Sequence, residues 1–171
     1  MTKAVVFDLD GTLLETSALQ SLRDSRNWKA CARNAGRTSP FDGIRELMDA
    51  LAGRGLLIGV CTSSVSYYAE NLLRHHKLDH HRALVCWHDA TPRKPHPNPI
   101  LETLRRLKVS AGEAVAVGDL AIDHQAHVAA GIRSIGAGWN PSLEVSAGWE
   151  KIASAPADVL EMLTPVKPMR P

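Results

Sequence analysis

Short apolar runs alternate along this chain with segments of helical periodicity. Each run is too brief for a lone helix and is rich in β-branched residues, a pattern typical of strands buried on both faces of a parallel sheet. Four runs and a shorter fifth fit this description: residues 4–7, 56–61, 83–87, 114–118 and 132–135. Strands that alternate with helices predict an α/β fold, with a parallel sheet covered on both faces.

The helical segments carry recognisable start and stop signals. Apolar residues at i, i+3, i+4 and i+7 predict an amphipathic helix from Ile44 to Leu51, which glycines terminate. Four more helices are expected: residues 65–73 with Ser64 as cap, a helix opened by Asn98 and Pro99 with Leu101, Leu104 and Leu107 facing inward, residues 122–130, and a last one with a capping box of Asp158 and Glu161.

Polar residues stand where the apolar runs end. Asp8, Thr62 and Asp119 each follow a run directly, and Lys94 lies a short loop beyond another. Ligands of parallel sheets collect at the carboxyl ends of the strands. We therefore expect these four side chains to lie near one another.

The first of these strand ends carries two carboxylates. Asp8 and Asp10 are two positions apart, so on an extended chain both side chains point the same way. Like charges held so close repel each other unless a cation or a shared proton lies between them. A β-hairpin that turns at Asp10 and Gly11 is the alternative for this stretch, but it does not account for the other polar strand ends.

Bulk composition fits one globular domain. The chain has 171 residues, 44% of them hydrophobic, and its formal net charge of +2 indicates no strongly acidic or basic partner for the whole molecule. We expect one domain over residues 1–163 and a flexible tail over 164–171. The cysteines form no CxxC pair, residues 1–7 show no leader pattern, and no stretch has membrane-spanning length, so we expect a cytoplasmic location and no membrane partner.

Asp119 and Asp123 enlarge the carboxylate set. They are four positions apart and share one side of a helix that begins near Asp119. With Asp8 and Asp10 they make a pocket of hard oxygen ligands, which suits Mg²⁺ and leaves room for a phosphate. Acids also belong in the first turn of a helix, and that is the simpler explanation for Asp123.

Four motifs occur in a fixed order over residues 4 to about 140. They are Asp8-x-Asp10-Gly11-Thr12, a strand ending in Thr62, Lys94 in a Lys-Pro-x-Pro context, and Gly118-Asp119-x-x-x-Asp123. Together they resemble the motifs of the haloacid dehalogenase-like hydrolases. The resemblance implies a three-layer Rossmann-like fold and Mg²⁺-dependent phosphoryl transfer.

The resemblance also implies residue roles. Asp8 would be the nucleophile that forms an aspartyl phosphate, and Asp10 the general acid and base. Metal ligands would be Asp8, the main-chain carbonyl of Asp10, and Asp119, with Asp123 as a further or water-mediated ligand. Phosphate-binding groups would come from Gly11, Thr12, Thr62, Ser63 and Lys94.

The implied activity is that of a phosphomonoesterase with an undetermined substrate. Its partner would be a phosphorylated small molecule or a larger phosphorylated ligand, with nucleic acid only as a substrate. A phosphotransferase or mutase of the same family is one alternative. A noncatalytic phosphate-binding module on the same fold is another.

The chain departs from the resemblance where many relatives carry a cap. Residues 16–40 offer too few positions for a helical bundle, and no insertion lies between Lys94 and Asp119. We therefore expect a cap that is absent or very short, and an open site. The segment 16–40 is also basic, either as a solvated face or as a field that attracts extended or multiply charged phosphates through Arg23, Arg26 and Lys29.

Several histidines and aromatic residues have simpler explanations than chemistry. A cluster at a predicted helix end is favoured there by the helix dipole, and we expect no metal on it: His75, His76, His80 and His81. His124 and His127 are interpreted as part of a polar helix face. Tyr67, Tyr68 and Trp87 are expected to serve in packing.

Overall fold

In the computed structural model, which describes residues 1–163, all five predicted strands form and join one parallel sheet. The described residues contain β1 (Ala4–Phe7), β2 (Leu14–Glu15), β3 (Ser39–Pro40), β4 (Leu57–Cys61), β5 (Ala83–Val85), β6 (Ala114–Gly118), β7 (Arg133–Ala137) and β8 (Lys151–Ala153). Six of these pair in parallel in the order β5-β4-β1-β6-β7-β8, while β2 pairs antiparallel with β3. The predicted α/β fold is confirmed.

The sheet has helices on both faces. The α-helices within residues 1–163 are α1 (Gln20–Asp24), α2 (Trp28–Arg33), α3 (Ile44–Gly53), α4 (Ser66–His75), α5 (Asn98–Leu107), α6 (Ala121–Ala129) and α7 (Asp158–Met162). Side chains of β1 alternate between two apolar cores. Val5 and Phe7 share one core with α3 and α4, and Ala4 and Val6 share the other with α5 and α6. Three layers follow from this alternation.

β1 lies at the centre of the sheet and pairs on both sides. Val5 is in register with Ile58 of β4 and with Val115 of β6, and both pairings are parallel. This arrangement excludes the hairpin alternative for the opening stretch. It also brings the carboxyl ends of three apolar strands to one edge of the sheet.

The segment 16–40 folds as a small helical insertion on the pair β2–β3. It contains α1, α2 and two short 3₁₀ turns, at Ser17–Leu19 and Ala35–Arg37. α2 packs on α4, where the ring centroids of Trp28 and Tyr68 are 5.5 Å apart. The insertion therefore stands beside the carboxyl edge of the sheet.

Several local predictions were wrong. α4 begins at Ser66 after Val65, so Ser64 does not cap it, and α5 follows Pro97 without a side-chain cap from Asn98. Leu101 is 45% exposed, because Ile100 takes the inward position. Asp158 accepts a hydrogen bond from the N–H of Ala155 instead of capping α7.

Two further expectations concern the periphery. None of the helices within the described residues combines the length and apolar character that crossing a bilayer requires. The tail predicted for residues 164–171 lies outside the described residues.

Candidate active site

Asp8 extends β1 by one residue and faces a buried lysine. Its N–H donates to the carbonyl of Val117 at 3.0 Å, which fixes the backbone beside β6. Nζ of Lys94 donates to Oδ1 of Asp8 at 2.9 Å and to Oδ1 of Asp123 at 2.7 Å. The carbonyl of Cys61, at the end of β4, accepts the third bond at 2.7 Å.

Each hydrogen of the Lys94 ammonium group therefore has a hydrogen-bond acceptor. An ammonium has three hydrogens, and all three are used in this arrangement. Its side chain is only 2% exposed, and burial by itself would favour the neutral amine. The neighbouring carboxylates of Asp123 and Asp8 outweigh burial and hold the pKa of Lys94 well above its ordinary value. Lys94 thus supplies a fixed positive charge beneath Asp8.

Three aspartates, at the ends of β1 and β6 and in the first turn of α6, form a cluster that could hold a metal. One oxygen from each of Asp8, Asp119 and Asp123 lies within 4.8 Å of the others, and all three residues are buried. Burial, followed by the charge of Asp123, raises the pKa of Asp119 to about 7. Burial also holds the pKa of Asp8 well above its usual value, although Lys94 acts in the opposite direction.

The donor set fits a hard divalent cation. The charge of one lysine does not balance three buried carboxylates, and a cation among them would favour their ionised forms. For Asp123, burial opposes ionisation, yet Lys94 already lowers its pKa. Oxygen-only ligands on short loops are those that Mg²⁺ takes.

Asp119 is fixed by residues far away in the chain. Thr12 Oγ1 donates to Oδ1 of Asp119 at 3.0 Å, and Nδ2 of Asn140 donates to Oδ2 at 3.1 Å. The same amide donates to the carbonyl of Gly11 at 2.8 Å. Gly11 has a φ of +82°, and a Cβ there would collide with Oδ2 of Asp119. Asn140 was not predicted from the sequence.

Thr12 requires a correction. The resemblance placed it among the phosphate-binding residues, but its side chain is fully buried and its hydroxyl is used on Asp119. Its N–H donates to the carbonyl of Leu9, and the N–H of Gly11 donates to Leu14. Thr12 therefore positions the carboxylate of Asp119. Gly11 leaves room for that carboxylate, and its own N–H is already bonded to the carbonyl of Leu14.

Asp10 has a different set of partners from Asp8. Its Oδ2 accepts a hydrogen bond from Ser64 Oγ at 2.7 Å, and its Oδ1 accepts one from the hydroxyl of Tyr68 at 2.6 Å. Nη1 of Arg23 lies 3.1 Å from the same Oδ1. The carboxylate thus turns away from the aspartate cluster, and only the main-chain carbonyl of Asp10 remains as its possible contribution to a metal.

These partners of Asp10 bear on the expectations for Ser64, Tyr68 and Arg23. Ser64 binds a carboxylate instead of capping a helix. Tyr68 packs in the core as expected but also carries a polar function, and burial followed by Asp10 raises its pKa. Arg23, on the basic segment, reaches the site and is not part of a solvated face.

Thr62 and Ser63 follow β4 at the floor of the site. Oγ1 of Thr62 accepts the N–H of Ser64 at 3.0 Å, so its own hydrogen is free to be donated. Thr62 is only 4% exposed, and both residues line the cavity above Asp8. A small anion could accept hydrogen bonds here.

The cavity above the aspartates has a volume of about 340 Å³. Its floor includes Asp8, Asp10 and Thr62. One wall is formed by residues of the segment 16–40, among them Ser17, Gln20, Arg23 and Trp28. The expectation that this segment leaves the site open therefore needs qualification, because its residues line part of the cavity.

The histidines do not contribute to the aspartate cluster. His76 Nε2 lies 2.7 Å from Oγ1 of Thr38, and Nε2 of His80 lies 2.9 Å from Asp49. His127 is not on a polar surface, since it is 1% exposed and its Nδ1 lies 2.8 Å from Ser134 Oγ. Burial lowers the pKa of His127 to about 3.

The family can be assigned from the sequence match. Residues 20–137 match the model of the haloacid dehalogenase-like hydrolases, which is more than half of the chain. The chain belongs to this family. The matched range contains Thr62, Lys94, Asp119 and Asp123, whereas Asp8 and Asp10 precede it.

Two curated phosphatases are similar in sequence to most of this chain. A phosphoglycolate phosphatase of Xylella fastidiosa is 32% identical over 127 residues, 74% of this chain and 56% of that protein. An N-acetylmuramic acid 6-phosphate phosphatase of Pseudomonas aeruginosa is 30% identical over 118 residues, 68% of this chain and 52% of that protein. The chain thus spans about half the length of these curated relatives.

The fold resemblance is more extensive than the sequence match. A crystal structure of a hydrolase from Pseudomonas syringae superimposes with a TM-score of 0.81 and covers 95% of this chain and 98% of that one. Its sequence identity is 20%, so this likeness concerns the family fold alone.

Proposed function

We propose that this member of the haloacid dehalogenase-like hydrolases is a Mg²⁺-dependent phosphomonoesterase that acts through an aspartyl phosphate on Asp8. The observation that carries the proposal is the contrast between two aspartates two positions apart. Asp8 faces Lys94 and the aspartate cluster, whereas Asp10 faces Ser64, Tyr68 and Arg23. In this proposal, Asp8 is the attacking group and Asp10 is the group that transfers protons.

In the first step, a carboxylate oxygen of Asp8 attacks the phosphorus of the substrate. The bond from phosphorus to the ester oxygen breaks, and Asp10 donates a proton to that oxygen, so the leaving group departs as an alcohol. Thr62 donates its free hydroxyl hydrogen to a phosphoryl oxygen. The charge of Lys94 favours the increase in negative charge near Asp8.

In the second step, water attacks the phosphorus of the aspartyl phosphate. Asp10, now ionised, accepts a proton from the water, and the bond from phosphorus to the Asp8 oxygen breaks. Inorganic phosphate leaves and both aspartates return to their starting states. Ser64 and Tyr68 hold the carboxylate of Asp10 in one orientation during both transfers.

Mg²⁺ would be held by Asp8, Asp119 and the main-chain carbonyl of Asp10, with Asp123 directly or through water. When bound, the metal supplies charge that draws the phosphoryl group toward Asp8 and lowers the repulsion between two anions. Thr12 and Asn140 orient Asp119 for this role. Such supporting partners typically affect metal affinity.

The relatives support an ester substrate of modest size. The two curated proteins are named for phosphatase activity on phosphoglycolate and on N-acetylmuramic acid 6-phosphate, and both compounds are phosphomonoesters. A cavity of about 340 Å³ accommodates a small organic phosphate. We therefore place the substrate of this chain among small phosphomonoesters, without naming one compound.

The test is metal-dependent release of inorganic phosphate. The purified protein should hydrolyse p-nitrophenyl phosphate with Mg²⁺, lose this activity with EDTA, and recover it when Mg²⁺ is added in excess. A phosphotransferase would instead pass the phosphoryl group to an added alcohol or sugar while releasing little inorganic phosphate. A noncatalytic module would bind phosphate without turnover.

A further inference from the structure

A second cavity adjoins the one above Asp8. Its volume is about 380 Å³, and Arg23, Asp24, Trp28 and Ser63 line both cavities. The residues that line only the second cavity are Arg26, Val65, Trp87 and His88. The N–H of Trp87 donates to the carbonyl of Ser64 at 2.9 Å, so this cavity is attached to the loop that carries Thr62.

Two guanidinium groups lie over the ring of Trp87, and the one that lines this cavity belongs to Arg26. The Cζ atom of Arg93 lies 3.8 Å from the ring centroid of Trp87, and that of Arg26 lies 5.5 Å from it. Nε of Arg93 also donates to the carbonyl of Trp87 at 3.1 Å. A cation over an aromatic ring is attracted to it, which restricts an otherwise flexible side chain.

Arg26 has no acceptor of its own. Among residues 1–163 its guanidinium makes no ion pair and no hydrogen bond, and its contact is with the Trp87 ring. By contrast, Arg23 is engaged with Asp10 and Gln20. Arg26 also has a φ of +54° at the turn between α1 and α2, a conformation that long side chains seldom adopt. A restrained, unpaired guanidinium thus stands where a ligand could reach it.

The charges around the second cavity favour an anion. One acidic residue, Asp24, lines the second cavity. Its Oδ1 already accepts a hydrogen bond from Gln20 at 2.8 Å. The lining residues Arg23 and Arg26 are positive, and Arg93 adds a third positive charge over the Trp87 ring. The aspartates of the first cavity, by comparison, would repel an anion that is not bound to a cation.

We propose that the second cavity is a subsite for the leaving group, and that it selects phosphomonoesters whose leaving group carries a second acidic group. Arg26 would bind that group, either a carboxylate or a second phosphate, with Trp87 holding the guanidinium in place. This inference rests on the proposed phosphatase function. It assigns selectivity to one arginine of the segment 16–40, whereas Lys29 lines neither cavity.

The experiment compares straight-chain alkyl phosphates that differ only at the far end. One series ends in a hydroxyl group, one in a carboxylate and one in a second phosphate, each at several chain lengths. Turnover is measured as kcat/KM for the wild-type protein, Arg26→Gln, Trp87→Leu and Lys29→Gln. The matched control is Lys29→Gln, because it removes the same charge from an exposed position on the same segment.

The wild-type protein is expected to prefer an anionic end over hydroxyl by about tenfold at the best chain length, a preference that weakens as salt rises. Arg26→Gln should lose most of this preference, Trp87→Leu should lose part of it, and Lys29→Gln should retain it. The carboxylate and phosphate series show which anion is bound best. Equal preferences in Arg26→Gln and Lys29→Gln, or no preference in the wild type, would overturn the subsite.

Binding distinguishes this inference from the function on which it rests. Calorimetry with the corresponding non-hydrolysable alkylphosphonates, in the presence of Mg²⁺, measures the same preference without turnover. Anion-selective binding that Arg26→Gln abolishes, with no hydrolysis of any ester, would contradict the phosphatase proposal and keep the subsite. Hydrolysis without anion-selective binding would contradict the subsite and keep the phosphatase.

Discussion

The hydroxyl of Tyr68 donates a 2.6 Å hydrogen bond to Oδ1 of Asp10, from a ring that is completely buried in the core between the sheet and α4. Packing therefore determines where the carboxylate of Asp10 points. A side chain that transfers a proton twice per turnover depends on such fixed orientation.

Replacing Tyr68 by Phe should test this dependence. The ring remains, so the core keeps its volume, but Asp10 loses one donor and gains rotational freedom. We expect kcat to fall about tenfold and the unfolding free energy to fall by about 1–2 kcal/mol. The control is Tyr67→Phe, since Tyr67 is 60% exposed. Equal kinetics for the two variants would argue against a positioning role.

Lys94 should be essential to stability when no metal is bound. Lys94→Met keeps the aliphatic stem but leaves the buried carboxylates of Asp8 and Asp123 without their cation. Breaking such a buried pair costs about 3–5 kcal/mol. Denaturant unfolding should show this loss in EDTA and a smaller one with Mg²⁺, and the exposed Lys29→Met should show neither. An equal loss of unfolding free energy in EDTA and in Mg²⁺ would contradict a link between Lys94 and metal binding.

Asp119 should control metal affinity. Asp119→Ala removes one of the three clustered carboxylates, so the Mg²⁺ concentration for half-maximal activity should rise at least about tenfold. Thr12→Val should move it in the same direction by less, because it removes only a donor to Asp119. An unchanged Mg²⁺ dependence in Asp119→Ala would contradict Asp119 as a metal ligand and favour Asp123 instead.

His127 should make the fold sensitive to acid. Its folded pKa of about 3 lies below its ordinary value of 6.5. Above pH 6.5 the residue is neutral in both states. As the pH falls below 6.5, the unfolded chain takes up a proton that the folded one does not, so stability is lost down to about pH 3.

The measurement is a difference between two proteins. Between pH 6.5 and pH 5, His127→Gln should lose about 2 kcal/mol less unfolding free energy than the wild type. The exposed His75→Gln should follow the wild-type profile. Parallel profiles for His127→Gln and the wild type would show that His127 takes up its proton in the folded state as well.

Much of the fold could be predicted because strands buried on both faces leave an uninterrupted apolar run. β8 was not predicted because it has no such apolar run: Lys151–Ala153 is short, lies at the edge of the sheet and leaves Ile152 40% exposed. The convergence of Asp8, Thr62 and Asp119 followed from the rule that parallel strands end at one edge.

The partners of the predicted residues could not be predicted. Asn140 approaches Gly11 across 129 positions of the chain, and Ser64 approaches Asp10 across 54. These contacts depend on the packing of loops, which local patterns do not record. Arg23 was recognised as basic, but only the fold of the segment 16–40 places its guanidinium against Asp10.

Asp8 is the proposed nucleophile, and the turnover of Asp8→Asn is the decisive measurement of that role. The amide keeps the shape of the side chain but cannot form the aspartyl phosphate. The exposed Asp42→Asn serves as the control. With p-nitrophenyl phosphate and saturating Mg²⁺, we expect Asp8→Asn to be folded yet at least about 10³-fold slower than the wild type. Turnover near the wild-type rate in folded Asp8→Asn would contradict it.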